Sequence, residues 1–196
     1  VNSFSKNTGH EIIKHILARI TFIKVGEKMK VALTGHRPER LGLLSDEGSH
    51  EWKNIRDWLV KQITDIRMFD LIQYHTTDLY CGMASGSDIL FVIIASIYKA
   101  NALNIKLHCV LPCKEYNSSN KYYRLIKDNA DEWVELSEEF YKGCDNVRDQ
   151  YMVDHCDVLL AIWDGNKSGG VWSIIRKAQK AGKQIIYCPK EIVTGE

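Results

Sequence analysis

The sequence predicts an α/β protein: a single domain with a mostly parallel sheet and helices on both faces. Three observations carry this. Short apolar runs alternate with segments of helical period from residue 30 onward. Two strand-to-helix junctions, at residues 82–88 and 164–170, are rich in glycine and other small residues. A chain of 196 residues, 45% hydrophobic and 26% charged, suits one such domain with a full core, and two domains would be cramped.

Each element has its own signal. Residues 30–34 read as a strand, with Val31-Ala32-Leu33 between polar ends. Gly35-His36-Arg37-Pro38 reads as a loop, since Pro38 disfavours helix at Arg37. Residues 49–69 read as a helix with Trp52, Ile55, Leu59, Ile63 and Ile66 on one face. Further strands are expected at 78–81, 105–111, 132–136, 158–163 and 184–188, and further helices at 87–101, 120–129, 145–155 and 170–181. Pro112 stops the third strand, and Gly182 caps the last of these helices. Residues 29–196 thus form the domain.

Residues 1–28 differ in composition and form an N-terminal extension. Ile12, Ile13, Ile16, Leu17 and Ile20 recur at helical spacing, which predicts a short amphipathic helix. It is too short and too charged to span a membrane, and lacks a signal-peptide cleavage pattern. It is expected to pack on the domain or on a second copy of the chain, leaving a homo-oligomer open. A chain starting at Met29 should therefore still fold.

The net charge of +1 gives no global basic field for nucleic acid. The six cysteines include no Cys-x-x-Cys pair, and four stand in or beside apolar runs. They read as reduced, mostly buried thiols of a cytoplasmic protein, with no metal site and no cofactor expected.

Three loops that leave strand ends carry chemistry, where ligands of an open parallel sheet bind. In the first, Arg37 offers a planar fork for phosphate or carboxylate, and His36 can donate, accept or titrate. The second is Gly82-Met83-Ala84-Ser85-Gly86-Ser87-Asp88. Its small residues and helix start suit an anion, but it reads equally as a tight turn with Ser85 or Ser87 as N-cap. It is neither a P-loop nor a Gly-x-Gly-x-x-Gly fingerprint. The third, Asp164-Gly165-Asn166-Lys167-Ser168-Gly169-Gly170, is a second glycine-rich helix start. Two such turns in one small domain favour a phosphate-bearing ligand. Asp88 and Asp164, at these turns, are candidate acid–base residues, while Asp154 precedes a strand. Tyr122, Tyr123, Trp163 and Trp172 could stack a base or line the core.

These motifs carry a resemblance. Met29 to Pro38 with Leu41-Gly42, then Gly82 to Asp88, then Met152-Val153-Asp154 with Leu159 to Gly165, then Gly169-Gly170, resemble the YpsA-like branch of the SLOG superfamily. That branch occurs in bacteria and often in phages and prophages. The resemblance runs from Met29 to about Pro189. It implies a Rossmann-like fold that binds nucleotides or nucleotide-derived ligands, such as ADP-ribose, NAD or nucleoside phosphates, through the two glycine turns. Relatives include Lonely-guy phosphoribohydrolases, the DNA-processing protein DprA and ADP-ribose-type sensor domains. The Lonely-guy glutamate is missing after Gly170, Val171 replaces a frequent threonine, and Arg148-Asp149 stands where relatives tend to have Arg-Asn.

The expected ligand site comprises Gly35, His36 and Arg37; Gly82, Ser85, Gly86, Ser87 and Asp88; and Asp164, Gly165, Gly169 and Gly170. The leading reading is a nucleotide sensor or sequesterer. The alternatives are an N-glycosidic hydrolase using Asp88 or Asp164, and DprA-like binding of single-stranded DNA. The last is disfavoured by the charge and by the lack of a basic run with interleaved aromatics. Gly86→Val and Gly170→Val are both expected to block the ligand and leave the fold intact.

Overall fold

The computed structural model describes residues 28–72, 76–101 and 104–195. The expected N-terminal helix lies outside them. Six strands among the described residues form one sheet, and every pairing is parallel. In chain order the elements are β1 (Lys30–Gly35), α1 (Pro38–Leu41), a 3-10 turn (His50–Trp52), α2 (Lys53–Ile72), β2 (Thr77–Cys81) and α3 (Ser87–Ala100). Next come β3 (Ile105–Leu111), α4 (Tyr123–Asn129), β4 (Glu132–Glu135) and α5 (Cys144–His155). The chain closes with β5 (Val158–Ile162), α6 (Gly169–Lys180), β6 (Gln184–Tyr187) and α7 (Lys190–Thr194).

The sheet order is β4-β3-β2-β1-β5-β6. The chain therefore winds outward from β1 in one direction, then returns to its other side at β5. The fold is Rossmann-like, and the crevice beyond the carboxyl ends of β1 and β5 is its topological switch point.

Period-two alternation divides the core. Val31, Leu33, Leu79, Leu107 and Leu160 face α2 and α3, where Leu59, Ile63 and Phe91 are buried. Ala32, Tyr80, Leu159 and Ala161 face α5 and α6, where Met152, Val153, Ile174 and Ile175 are buried. All six cysteines are free and buried, as expected of thiols spent on packing. No helix among the described residues is long and apolar enough to cross a membrane.

The structure differs from the sequence expectation at three short elements. Pro38 begins α1 rather than a loop: it occupies the first helical turn, where its missing N–H costs nothing, while Arg37 stays extended. The helix expected at 120–129 starts only at Tyr123, because Asn120 Oδ1 accepts the Tyr122 N–H at 2.9 Å and closes a turn instead. The short helix α7 carries too little periodicity to stand out.

β1 extends through Gly35, which pairs with Ile162 of β5. A Cβ on Gly35 would lie 2.4 Å from Ser87 Cβ at the start of α3. Gly35→Ala should therefore push α3 off the strand end and cost about 1–3 kcal/mol, read by urea denaturation. Unchanged stability would mean that α3 is free to slide.

Candidate functional site

A cleft of about 650 Å³ opens at the switch point. Gly35, His36 and Arg37 leave β1 along one side, Ala84 and Asp88 come from the first glycine turn, and Asp145, Arg148 and Asp149 come from α5. Ser168, Gly169 and Gly170 at the start of α6 complete the wall.

The first glycine turn is held by the protein's own groups. Gly86 is the N-cap of α3, with φ of 90°. Its N–H donates to Glu47 Oε1 at 2.8 Å, and Glu47 is fully buried. The Ser87 hydroxyl donates to the His36 carbonyl at 2.9 Å, and the Ser87 N–H points to the same oxygen at 3.4 Å. The Ala84 N–H donates to Asp88 Oδ2 at 3.1 Å. Asn117 braces the outer side, donating to the Met83 carbonyl at 3.0 Å and accepting from the Ser85 hydroxyl at 3.2 Å. Neither Ser85 nor Ser87 is the N-cap, which corrects that sequence expectation: the positive φ selects glycine. The same geometry corrects the view of Gly86→Val as a clean probe. A Cβ there would sit 2.9 Å from Pro38 Cδ and 3.0 Å from the His36 carbonyl.

Of this turn, Ala84 and Asp88 line the cleft, and Gly82, Ser85, Gly86 and Ser87 do not. The Asp88 carboxyl is buried and pushed up to about 6 by desolvation, against the pull of Arg148 and of the Ala84 N–H. Arg148 Nη1 donates to the Gly82 carbonyl at 2.7 Å, and Nε and Nη2 both reach Asp149 Oδ1, at 3.1 and 3.0 Å. A Cβ on Gly82 would come within 2.8 Å of Arg148 Nη1, so glycine there makes room for the guanidinium. Burial also raises Asp149, again opposed by Arg148. Asp145, Arg148 and Asp149 were missed as site residues. Their i, i+3, i+4 spacing, which puts them on one face of α5, was the available signal.

The third loop serves the first. Asp164 Oδ2 accepts from Arg40 Nε at 2.8 Å and lies 2.7 Å from Nη2. Its Oδ1 accepts the Asn166 N–H at 2.9 Å and lies 3.1 Å from His36 Nε2. Burial raises Asp164, but the Asn166 N–H, Arg40 and His36 outweigh it and bring the group to about 2. The Asp164 N–H also points at His36 Nε2, at 3.3 Å. One nitrogen cannot serve both partners in one tautomer. A lone pair facing a carboxylate would be repulsive, so Nε2 carries the proton and donates to Oδ1. Burial lowers the His36 pKa, with the Asp164 contact opposing it, so the ring is neutral near pH 7. Asp164 thus holds His36 and Arg40, and neither it nor the exposed Gly165 lines the cleft.

The start of α6 is open. Ser168 is its N-cap without a side-chain cap bond, since its hydroxyl donates instead to Asn166 Oδ1 at 3.0 Å. Gly169 and Gly170 are exposed, and a Cβ on either would meet nothing within 4 Å. Arg37 is exposed at the cleft mouth, and its Nη2 donates to the Tyr116 hydroxyl at 3.2 Å.

The aromatic candidates stand apart. Trp163 and Trp172 stack on each other at 5.3 Å, Tyr123 packs edge-on against Trp133, and the Tyr122 hydroxyl donates to Asp46. None of the four lines the cleft. Asp154 is exposed and accepts from Gln150.

A sequence model of the YspA SLOG family matches residues 31–194, from β1 into α7. The chain belongs to the YspA SLOG family. The match includes every residue that lines the cleft. No curated protein matches the chain. Membership of the YspA SLOG family is consistent with a nucleotide-related function. In this YspA SLOG domain the two glycine turns are not equivalent: the first is braced by Glu47, His36 and Asn117, and the second is open.

The Asp88 shift has a stability consequence. Below about pH 4 the carboxyl is protonated in both folded and unfolded chains. As pH rises through about 6, the folded protein must ionise a buried group. Its contribution is therefore lost between those values, by at most about 3 kcal/mol. Asp88→Asn should gain stability relative to the native chain at pH 7.5 but not at pH 4. Urea denaturation at both values checks this, and an equal difference at both would refute it.

Proposed function

We propose that the protein binds a phosphate-bearing nucleotide or nucleotide-derived molecule in the cleft between β1 and β5, as a sensor or sequesterer. The observation that carries this is the open start of α6 on the cleft wall. Its first N–H groups and the positive end of the helix dipole favour an anion, and its glycines let a phosphate approach the backbone. Arg37, which also lines the cleft, supplies a guanidinium for a second charge-assisted contact. Asp88 and Asp149 face the same space and suit ribose hydroxyls. The cleft volume falls within the range of small-molecule sites. The bracing of the first turn supports placing the phosphate at the second.

Calorimetry with AMP, ADP-ribose and NAD tests this. At least one should bind, and Gly170→Val should abolish binding while leaving the melting profile unchanged, because a Cβ there meets no protein atom within 4 Å but would crowd a phosphate seated on the helix start. Native affinity in Gly170→Val would sink the phosphate assignment. Arg37→Ala should weaken binding by about 1.5–3 kcal/mol, with Arg37→Lys recovering part of it. Binding by Arg37→Ala as tight as by the native chain would leave Arg37 a surface residue.

One observation favours a second reading, hydrolysis of an N-glycosidic bond. Asp88 is a buried carboxyl on the cleft wall that holds its proton up to about pH 6. That is the property a general acid needs to protonate a departing base. Asp164 has no such property, being held near 2 and fully occupied by Arg40, His36 and the Asn166 N–H.

A further inference from the structure

The two edges of the sheet carry opposite charge. β4 and β6 are its end strands, so each has one side with no strand beside it among the described residues. Residues 165–190, which run through α6 and β6, hold Lys167, Arg176, Lys177, Lys180, Lys183 and Lys190 and no acid. Lys177 donates to the Asn146 carbonyl at 2.5 Å, and the other five form no ion pair with a described residue. Residues 128–139, which end α4 and run through β4, reverse the sign. They hold Asp128, Asp131, Glu132, Glu135, Glu138 and Glu139 and no Lys or Arg. Lys99 pairs with Asp131, His108 with Glu132 and Lys114 with Glu138. Asp128, Glu135 and Glu139 pair with no described cation. Of the cations nearby in the chain, Lys121 is drawn to Asp46 and Lys127 to the Trp133 ring, while Arg124 is exposed. The net charge of +1 hides this division.

Aromatic surface accompanies both tracts. Tyr187 ends β6 and is 42% exposed. Gln179 Nε2 lies 3.5 Å from its hydroxyl, so α6 turns the face of Trp172, Arg176 and Gln179 toward this edge. Phe140 and Tyr141 follow the acidic tract directly and are 65% and 49% exposed. Aromatic side chains left to water beside unpaired charge are the composition of a protein contact. Charge on an edge strand commonly keeps other chains away. Here it can do so only between like edges, β4 with β4 or β6 with β6. Opposite signs favour the remaining pairing.

We propose that the β6 edge is a docking surface for the β4 edge of a second copy of this chain, with the basic tract of one copy facing the acidic tract of the next. Every strand pairing in the sheet is parallel, so a copy displaced along the sheet brings β4 beside β6 in the same direction. The contact is heterologous: each copy uses its two edges for two different neighbours. Repeating it builds an open chain of copies rather than a closed dimer. None of the twelve tract charges lines the cleft, so the contact stands apart from ligand binding.

Sedimentation velocity of the full chain tests this, over rising concentration, at low salt and at about 1 M salt, where charges are screened beyond about 3 Å. At low salt the mean size should grow with concentration without a fixed end point, and high salt should return it to the smallest species. Two variants reverse one tract each: Arg176→Glu, Lys180→Glu, Lys183→Glu and Lys190→Glu together, and Asp128→Lys, Glu135→Lys, Glu138→Lys and Glu139→Lys together. Each alone should stay at the smallest size, since its two edges now share a sign. Mixed in equal amounts they should assemble again, because each offers the edge the other lost. Circular dichroism checks that both are folded, and the salt response of the native chain decides without them if either is not. A native size that changes with neither concentration nor salt would overturn the proposal. So would assembly of either variant alone to the native extent, or a mixture of folded variants that stays small. A native chain that stays small yet binds polyglutamate or oligothymidylate would overturn it too, and would assign the basic edge to another polyanion.

Discussion

The site depends on one close approach, that of the α3 start to the end of β1. Gly35 has no side chain where Ser87 packs, and the Ser87 hydroxyl is bonded to the carbonyl of His36. That bond fixes the backbone of the β1 loop against the first glycine turn. It holds the His36 backbone against the turn that carries Asp88 and leaves Gly86 with a positive φ that favours glycine, pressed against Pro38. A methyl group at either glycine would separate the two loops, and the facing walls of the cleft would lose their register.

Burial then gives three carboxylates three different characters. Asp164 keeps its charge because Arg40, His36 and a backbone N–H meet it. Asp88 meets one backbone N–H and the field of Arg148, which is not enough to offset desolvation, so it holds its proton to about 6. Glu47 Oε1 accepts the Gly86 N–H, so that donor is met from within the protein. These fates follow from partner geometry, and residue type alone does not distinguish them.

This is also why the fold was more legible than the site. Strand and helix periods are local, and the glycine turns punctuate them, so the parallel α/β architecture could be read within windows of ten to twenty residues. The loop from Gly35 to Arg37, Asp88 and the α6 glycines were legible as strand-end chemistry. Glu47 was not, because it reaches Gly86 across 39 positions, and Arg148 reaches the Gly82 carbonyl across 66. Nothing near either residue in the chain marks it as a partner of a turn so far away. Asp164 was visible as a strand-end acid, but its ties to Arg40 and His36, 124 and 128 positions distant, were not, and those ties decide its role.

The two glycine turns looked alike in sequence because both obey the same local rule, small residues before a helix. Their difference lies in what the rest of the chain does to them. At the first, the protein has supplied its own acceptors: Glu47 for the Gly86 N–H, the His36 carbonyl for Ser87 and Asp88 for the Ala84 N–H. An incoming phosphate would have to displace a buried carboxylate and break a packed loop. At the second, no side chain caps the helix and no atom crowds the glycines. Donors left unmet at a helix start are held by water, which an anion displaces at little cost. The braced turn therefore acts as scaffold, presenting Asp88 at a fixed place. The open turn is where binding energy remains to be gained.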